Sequence, residues 1–168
     1  MWAAFYAEMF WGWRLHYFGI EPRTLWGLIG IFTAPMLHGG LGHLISNTFP
    51  LLFLGTVLFF FYEKIAGTVF FRAYFWTNIL VWLFGRQETN HIGASGVVYG
   101  IAFFLIFFGI FRRDLTSILI TIGVIVMYGG VVYGVFPTDP TISWESHLAG
   151  GLVGTYTAIG LSKKPKVD

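Results

Sequence analysis

Residues 92–111 contain no charged side chain, and this run constrains the fold more than any other feature of the chain. A helix needs about 20 mostly apolar residues to cross the hydrocarbon core of a bilayer. Only 11% of the 168 residues are charged, against about 25% in soluble domains. The chain holds 19 Phe and 7 Trp residues, more than a core of this size can hide. We therefore expect much of its surface to face lipid.

The apolar segments predict an all-α, polytopic membrane helix bundle that forms a single domain over residues 1–168. Five spans are expected, at roughly 44–62, 66–84, 95–111, 115–135 and 147–161. Residues 2–18 are apolar and aromatic but include Glu8 and Arg14. We expect them to supply a sixth transmembrane helix that is short or truncated. The connection over residues 18–43 begins with turn chemistry. Its residues 25–37 are apolar and interrupted by glycine, so we expect it to lie in the membrane interface.

Charge and cysteine content exclude several classes of function. The net charge of +2 is small, and the basic residues form no patch interleaved with aromatic residues. We therefore expect no nucleic-acid partner. The chain has no cysteine, which excludes disulfides, thiol catalysis and cysteine-ligated metal.

The basic residues also predict an orientation, because Lys and Arg collect on the cytoplasmic side of a membrane. One side of the expected bundle receives Lys64, Arg72, Arg112, Arg113, Lys163, Lys164 and Lys166. The other side receives Arg14, Arg23 and Arg86. We therefore expect an integral, multi-pass protein in which the helix starts at Ser95 and His147 face outward.

Ser95 and His147 stand out because each opens an expected membrane helix with a glycine-rich face. The expected helix-packing glycines are Gly96, Gly100, Gly150, Gly151 and Gly154. If the two faces meet, the hydroxyl and the imidazole come within hydrogen-bond reach. A weak alkoxide nucleophile requires such a base. The alternatives are a small serine that only lets helices pack and a histidine that only joins helices.

Three more residues fit the same site. Tyr99 lies one turn after Ser95, where its ring could stack on the imidazole or simply pack as an ordinary aromatic. His43 and Asn47 are four residues apart on one helix face, and both can donate hydrogen bonds to a developing oxyanion. Hydrogen bonding between helices is the alternative for that pair.

A zinc site is a further alternative, with four histidines as possible ligands. These are His38, His43, His91 and His147. No His-Glu-x-x-His motif is present, and the acidic residues near these histidines in sequence are Glu88 and Glu145. Glu145 precedes His147 by two residues, so on a helix it would point elsewhere. We therefore expect no metal and no cofactor, and a Ser–His dyad that lacks an acidic third member.

Taken together, the motifs resemble those of the rhomboid intramembrane serine proteases. The resemblance covers residues from about 18 to 161 and includes the Glu-Lys-x-x-Gly turn that begins at Glu63. Its other motifs are Gly93-Ala94-Ser95-Gly96, Tyr99, His147-Leu-Ala-Gly-Gly, and His38 followed by His43-Leu-Ile-Ser-Asn47.

The resemblance implies a role for each site residue. Ser95 would be the nucleophile and His147 the general base. The Ser95 backbone N–H, His43 and Asn47 would form the oxyanion hole. The supporting residues would be Tyr99 beside the base, Gly93 beside the nucleophile, and His38 near the site.

The implied function is an endopeptidase of a bacterial plasma (inner) membrane. It would cleave transmembrane segments of membrane-protein substrates near the outer face, with the lipid bilayer as its other partner. An inactive rhomboid-like protein that binds membrane clients is one alternative, although it predicts a missing Ser or His. A small transporter is another, and it predicts inverted repeats or charges at the midplane.

Overall fold

The computed structural model describes residues 1–139 and 141–163, and the regular elements in these ranges are all helical. The α-helices are α1 (Trp2–Trp11), α2 (Gly27–Thr33), α3 (Leu41–Phe61), α4 (Glu63–Phe84), α5 (Ser95–Arg112), α6 (Leu115–Tyr128) and α7 (Trp144–Ser162). Short 3-10 helices occupy Leu15–Phe18, Ala34–Met36 and Gly129–Val135. The expected all-α class is confirmed. Lys164 and Lys166, which entered the charge argument, lie outside the described residues.

Helix α5 lies at the centre of the bundle. Ten of its 18 residues are buried, and Ile101, Phe104 and Leu105 have no exposed surface. Helices α3, α4, α6 and α7 all pack against it. A central helix explains why this run carries no charge, since every face of it must be buried.

Glycines bring α5 and α7 into backbone contact. A methyl group at Gly150 would overlap the carbonyl oxygen of Gly96. One at Gly154 would overlap the carbonyl oxygen of Gly100. Only residues without a side chain allow this approach, so the expected meeting of the two glycine faces is confirmed at these four positions.

Two expectations about α7 need correction. The helix begins at Trp144, so His147 lies in its first turn instead of opening it. Gly151 does not face a glycine of α5; a methyl group there would meet the ring of Phe103 at 3.2 Å. Successive helical residues are rotated by about 100°, which turns Gly151 away from the line that Gly150 and Gly154 share.

The expected span over residues 115–135 is also too long. The α-helix ends at Tyr128, and the chain continues as the 3-10 helix Gly129–Val135. Two consecutive glycines, Gly129 and Gly130, explain the change because they weaken a continuing α-helix. Beyond this change of helix type, Gly134 lies beside Tyr99 and His147.

Length and apolar composition together distinguish the clear membrane spans from the other helices. By length and composition, α3 and α5 could each cross a membrane. Helix α1 has ten residues, about 15 Å of rise, and ends at Gly12 in the left-handed conformation with φ 66°. Ten helical residues cover about half of a bilayer core. A count of six transmembrane helices stays a prediction.

The connection before α3 is folded and tied to the rest of the bundle. Asn78 Nδ2 donates to the Ile31 carbonyl at 3.0 Å, and Trp82 Nε1 donates to that of Thr24 at 2.9 Å. Ile20 pairs its backbone with His91 through two 2.9 Å hydrogen bonds. These contacts fix the segment that leads into the candidate site.

Candidate active site

A cavity of about 740 Å³ opens where α3, α5 and α7 begin. Ser95, His147, His43, Asn47 and Tyr99 all contribute to its wall. Five of the residues that the sequence assigned to one site are thus brought together by the fold, although they come from three separate segments of the chain.

Ser95 is the first residue of α5, and its position depends on Gly93. Gly93 has a φ of +113°, a conformation that residues with side chains rarely adopt. Its N–H donates to the Ala34 carbonyl at 2.9 Å, which anchors the turn to the folded connection. The first N–H groups of a helix have no partner within it. The Ser95 N–H is therefore positioned to bind an anion that forms beside its own hydroxyl.

His43 and Asn47 converge on that same turn. A methyl group at Gly93 would lie 2.6 Å from His43 Nε2 and 3.7 Å from Asn47 Nδ2. Asn47 Nδ2 also donates to the His43 carbonyl at 2.9 Å, which fixes the amide and leaves it a second N–H. Gly93 therefore leaves the space that lets two hydrogen-bond donors lie close to the start of α5.

The His147 ring is held by two contacts. It stacks on Tyr99 with ring centroids 4.1 Å apart and planes 4° from parallel, which is one of the two arrangements that the sequence left open. Its Nδ1 lies 2.9 Å from the Gly134 carbonyl oxygen. A carbonyl can only accept, so the neutral ring carries its proton on Nδ1 and leaves a lone pair on Nε2. That is the tautomer a general base requires.

Ser95 and His147 share the cavity, but among the described residues no hydrogen bond joins them. Catalytic hydrogen bonds are often long in the absence of substrate. The carboxylate of Glu145, two residues before His147 in the chain, pairs with Arg86.

His38 lies beside His43 and is almost fully buried, with 2% of its surface exposed. Its ring centroid is 4.9 Å from that of His43. Burial, together with the neighbouring His43 imidazole, lowers the pKa of His38 to about 4. His38 is therefore neutral at pH 7 and adds no charge to the site.

The pair formed by Arg86 and Glu145 fixes the start of α7 to the loop before α5. Arg86 Nε donates to Glu145 Oε1, and Nη2 donates to Oε2 at 3.3 Å and to the Ile142 carbonyl at 3.1 Å. Glu145 is buried, with 8% of its surface exposed. This pair lies two residues from His147 in the chain and sets how its helix enters the bundle.

A directed chain of hydrogen bonds reinforces that junction. Thr89 Oγ1 donates to the Arg86 carbonyl at 2.6 Å, so it accepts from His91 Nε2 at 2.8 Å. His91 Nδ1 then accepts from Ser143 Oγ at 2.6 Å, and Ser143 Oγ accepts from Ser146 Oγ at 2.6 Å. Burial lowers the pKa of His91, which favours the neutral ring that this order of donors requires.

The four histidines that were weighed as zinc ligands thus have different surroundings. His38 and His43 lie ring to ring, His91 bonds hydroxyl groups, and His147 bonds a carbonyl. In the described ranges no three His, Asp or Glu side chains are grouped as a metal site would need.

A model of the rhomboid domain matches residues 23–164. The chain belongs to the rhomboid family. Rhomboid proteins form an intramembrane protease family, and this membership together with two long apolar helices indicates a membrane protein.

Relatives of this rhomboid chain occur in mycobacteria. Uncharacterized proteins from Mycobacterium bovis and Mycobacterium tuberculosis are each 35% identical to it over 167 residues, covering 90% of this chain and 66% of the relative. One from Mycobacterium leprae is 36% identical over 161 residues, covering 85% and 59%. The chain therefore spans less than two thirds of the length of the relatives it matches. No solved structure matches it.

Sequence reasoning missed several residues that shape this rhomboid site. Arg86 and Ser143 hold the helix starts through side chains that belong to no motif, although an Arg and a Glu in two outward loops offered a weak signal. The Gly134 carbonyl left no signal, because every residue has one. The only sequence feature at this position is the glycine itself. The structure shows why it is a glycine, because a methyl group there would overlap the Tyr99 hydroxyl.

Proposed function

We propose that this chain is an intramembrane serine endopeptidase in which Ser95 is the nucleophile and His147 the general base. One observation carries the proposal: both side chains line a single cavity, at the starts of two helices whose glycines meet backbone to backbone. A serine or a histidine that served helix packing alone would have no need of a shared cavity.

The arrangement supports a two-step acyl transfer. His147 Nε2 takes the proton of Ser95 Oγ as the oxygen attacks the peptide carbonyl, and the imidazolium then gives that proton to the leaving amine. A water molecule, deprotonated by His147, releases the acyl group in the same way. The Gly134 carbonyl accepts from Nδ1 throughout, so it holds the ring where a triad would use a carboxylate.

The oxyanion would form beside the Gly93 turn. The Ser95 N–H, one His43 ring nitrogen and the second N–H of Asn47 are the available donors. Donors of this kind are fixed before the reaction, so they stabilise charge that appears only in the transition state. The stacked Tyr99 ring and the buried, neutral His38 support the geometry without adding charge.

The bundle is proposed to cross a bacterial plasma membrane with six helices, namely α1 and α3 to α7, and with the site toward the outer side. The mycobacterial relatives support a bacterial membrane. The basic residues at the opposite end of the bundle, such as Lys64 and Arg113, support the orientation. The cavity would supply the water that hydrolysis needs and lipid excludes.

The proposed substrates are transmembrane segments of other membrane proteins, cut near the outer face. A helix hides its carbonyl groups in its own hydrogen bonds, so the substrate must unwind locally before Ser95 can attack. Small or helix-breaking residues at the cleavage site lower that cost.

The test is cleavage of a single-span reporter protein by the purified chain in vesicles. Ser95→Ala and His147→Ala should each abolish cleavage, and the double variant should be scarcely worse, because the two act as one unit. Ser46→Ala is the matched control, since Ser46 lines the same cavity but only donates to the His43 carbonyl.

Two outcomes would count against the proposal. Full cleavage by Ser95→Ala would remove the nucleophile assignment. Binding of the reporter without cleavage by the parent chain, unchanged in Ser95→Ala, would favour an inactive member of the family that binds membrane clients.

A further inference from the structure

A second cavity, of about 510 Å³, lies in a groove between α4 and α7 and shares no lining residue with the active-site cavity. Arg72, Trp76 and Leu80 form one wall, at intervals of one helical turn. Leu152 and Tyr156, also one turn apart, form the other. The groove is thus a straight apolar slot between two adjacent helices, with a single cation in it.

Arg72 lies deeper than its place in the sequence indicated. Helix α4 begins at Glu63, which makes Arg72 its tenth residue, about 14 Å from the helix start. A charged side chain at such a depth in a membrane is costly and needs a partner. We therefore expect an anion beside Arg72, at the end of the groove that this residue lines.

No such partner is found within the described part of the chain. Arg86 pairs with Glu145, and Arg112 lies 3.7 Å from Asp114, but Arg72 has neither an ion pair nor a hydrogen bond there. Its side chain is half-buried and lines the groove. An anion from outside the chain would satisfy it.

The walls above Arg72 favour a hydrocarbon chain. Trp76 and Tyr156 are 52% and 77% exposed, and with Leu80 and Leu152 they make the groove mainly apolar. An acyl chain has no polar group that these side chains would have to satisfy, whereas an extended peptide would bring unpaired backbone N–H and C=O groups against them.

We propose that this groove is a binding site for an anionic phospholipid. The phosphate lies at Arg72 and one acyl chain runs between α4 and α7 past Trp76 and Leu80. An arginine fork matches phosphate geometry and bends toward the interface on its flexible stem. The proposal rests on the bundle crossing a bilayer, as proposed above, and is independent of peptide cleavage.

The test measures lipid binding to the purified full chain in detergent by native mass spectrometry. The probes are dioleoyl phosphatidylglycerol, dioleoyl phosphatidylcholine and inorganic phosphate. We expect phosphatidylglycerol to bind at least tenfold more tightly than phosphatidylcholine. Arg72→Gln should remove this preference, and Arg72→Lys should keep part of it. Leu80→Trp, which fills the slot without changing charge, should weaken binding of both lipids.

Arg113→Gln is the matched control, because it removes the same charge from an exposed position just after α5 and should leave the preference intact. Equal lipid binding by the parent and Arg72→Gln would overturn the site. An equal loss of the phosphatidylglycerol preference in Arg113→Gln and Arg72→Gln would also overturn it, because that result indicates nonspecific charge attraction. Binding of inorganic phosphate as tight as that of the lipid would reduce the groove to an anion site. Since the readout is binding, failure here is separable from failure of the protease proposal, and Ser95→Ala should behave as the parent.

Discussion

The backbone contact between α5 and α7 can be tested with a series of glycine substitutions along one helix. Gly150→Ala places a methyl group against the Gly96 carbonyl oxygen, and 3.1 Å from the Gly100 nitrogen. Both are backbone atoms within a helix, so they cannot move aside by a change of rotamer. Gly160→Ala, ten residues further along the same helix, has nothing within 4 Å of the new methyl group.

The expected magnitude follows from the difference between these two variants. Both gain up to about 1 kcal/mol from the helix propensity of alanine, so that term cancels. What remains is the overlap at Gly150, and overpacking a tight contact costs about 1–3 kcal/mol. Gly151→Ala should fall between them, because the Phe103 ring that it meets at 3.2 Å can turn away.

The same substitution should also impair catalysis. Relief of the overlap at Gly150 requires α7 to move away from α5, and His147 moves with it. A displacement of about 1 Å in a catalytic group can cost about 100-fold in rate. The free energy of unfolding in detergent and kcat/KM for a single-span reporter would be measured for all three variants. Equal stability and equal activity of Gly150→Ala and Gly160→Ala would refute the account of the helix contact.

Three further predictions follow from contacts around the site. Tyr99→Phe keeps the ring that stacks on His147 and should retain activity. Tyr99→Ala should lower kcat by roughly 2–10-fold, as expected for the loss of about 0.5–1.5 kcal/mol of ring contact. A larger loss of kcat in Tyr99→Phe than in Tyr99→Ala would show that the hydroxyl, and not the ring, supports catalysis. Arg86→Gln leaves Glu145 buried without its partner and should lower the free energy of unfolding by about 2–3 kcal/mol. The loss is smaller than for a fully buried pair because the Arg86 side chain is 36% exposed. The double variant Arg86→Gln with Glu145→Gln should recover part of this loss, and equal losses in the single and the double variant would contradict the ion pair. The pKa of His38 is about 4 in the fold and near 6.5 in the unfolded chain, so the unfolded chain binds the proton more readily. The free energy of unfolding should therefore be highest above pH 6.5 and decline by about 3 kcal/mol as the pH falls to 4. In His38→Gln, the free energy of unfolding should change less over this pH range.

The sequence predicted the helical class and most helix positions because long apolar runs separated by charged turns leave little choice. It was wrong about the end of α6, where a Gly-Gly pair converts the last turns to a 3-10 helix. It was also wrong about the start of α7, which begins at Trp144 and not at residue 147. Apolar patterning locates a helix well but does not fix its ends, because caps and neighbouring loops decide them.

The candidate site was predictable where a residue type carries its own chemistry. Ser95, His147 and the pair His43 and Asn47 could be assembled from spacing, and the structure brings them to one cavity. The contact of His147 with the Gly134 carbonyl could not be predicted, since it depends on the tertiary path of the chain and not on a side chain. The same holds for Arg72, whose lack of an ion-pair partner among the described residues depends on how the other helices pack.

The most direct test of the central claim is labelling by a fluorophosphonate probe, which forms a bond with an activated serine. The purified chain would be treated with the probe, digested, and the adduct located by mass spectrometry. We predict one modified residue, Ser95, with labelling absent in Ser95→Ala and strongly reduced in a folded His147→Ala variant. Absence of label at Ser95 while the parent chain still cleaves its reporter, or labelling that is unchanged in His147→Ala, would contradict the Ser–His dyad.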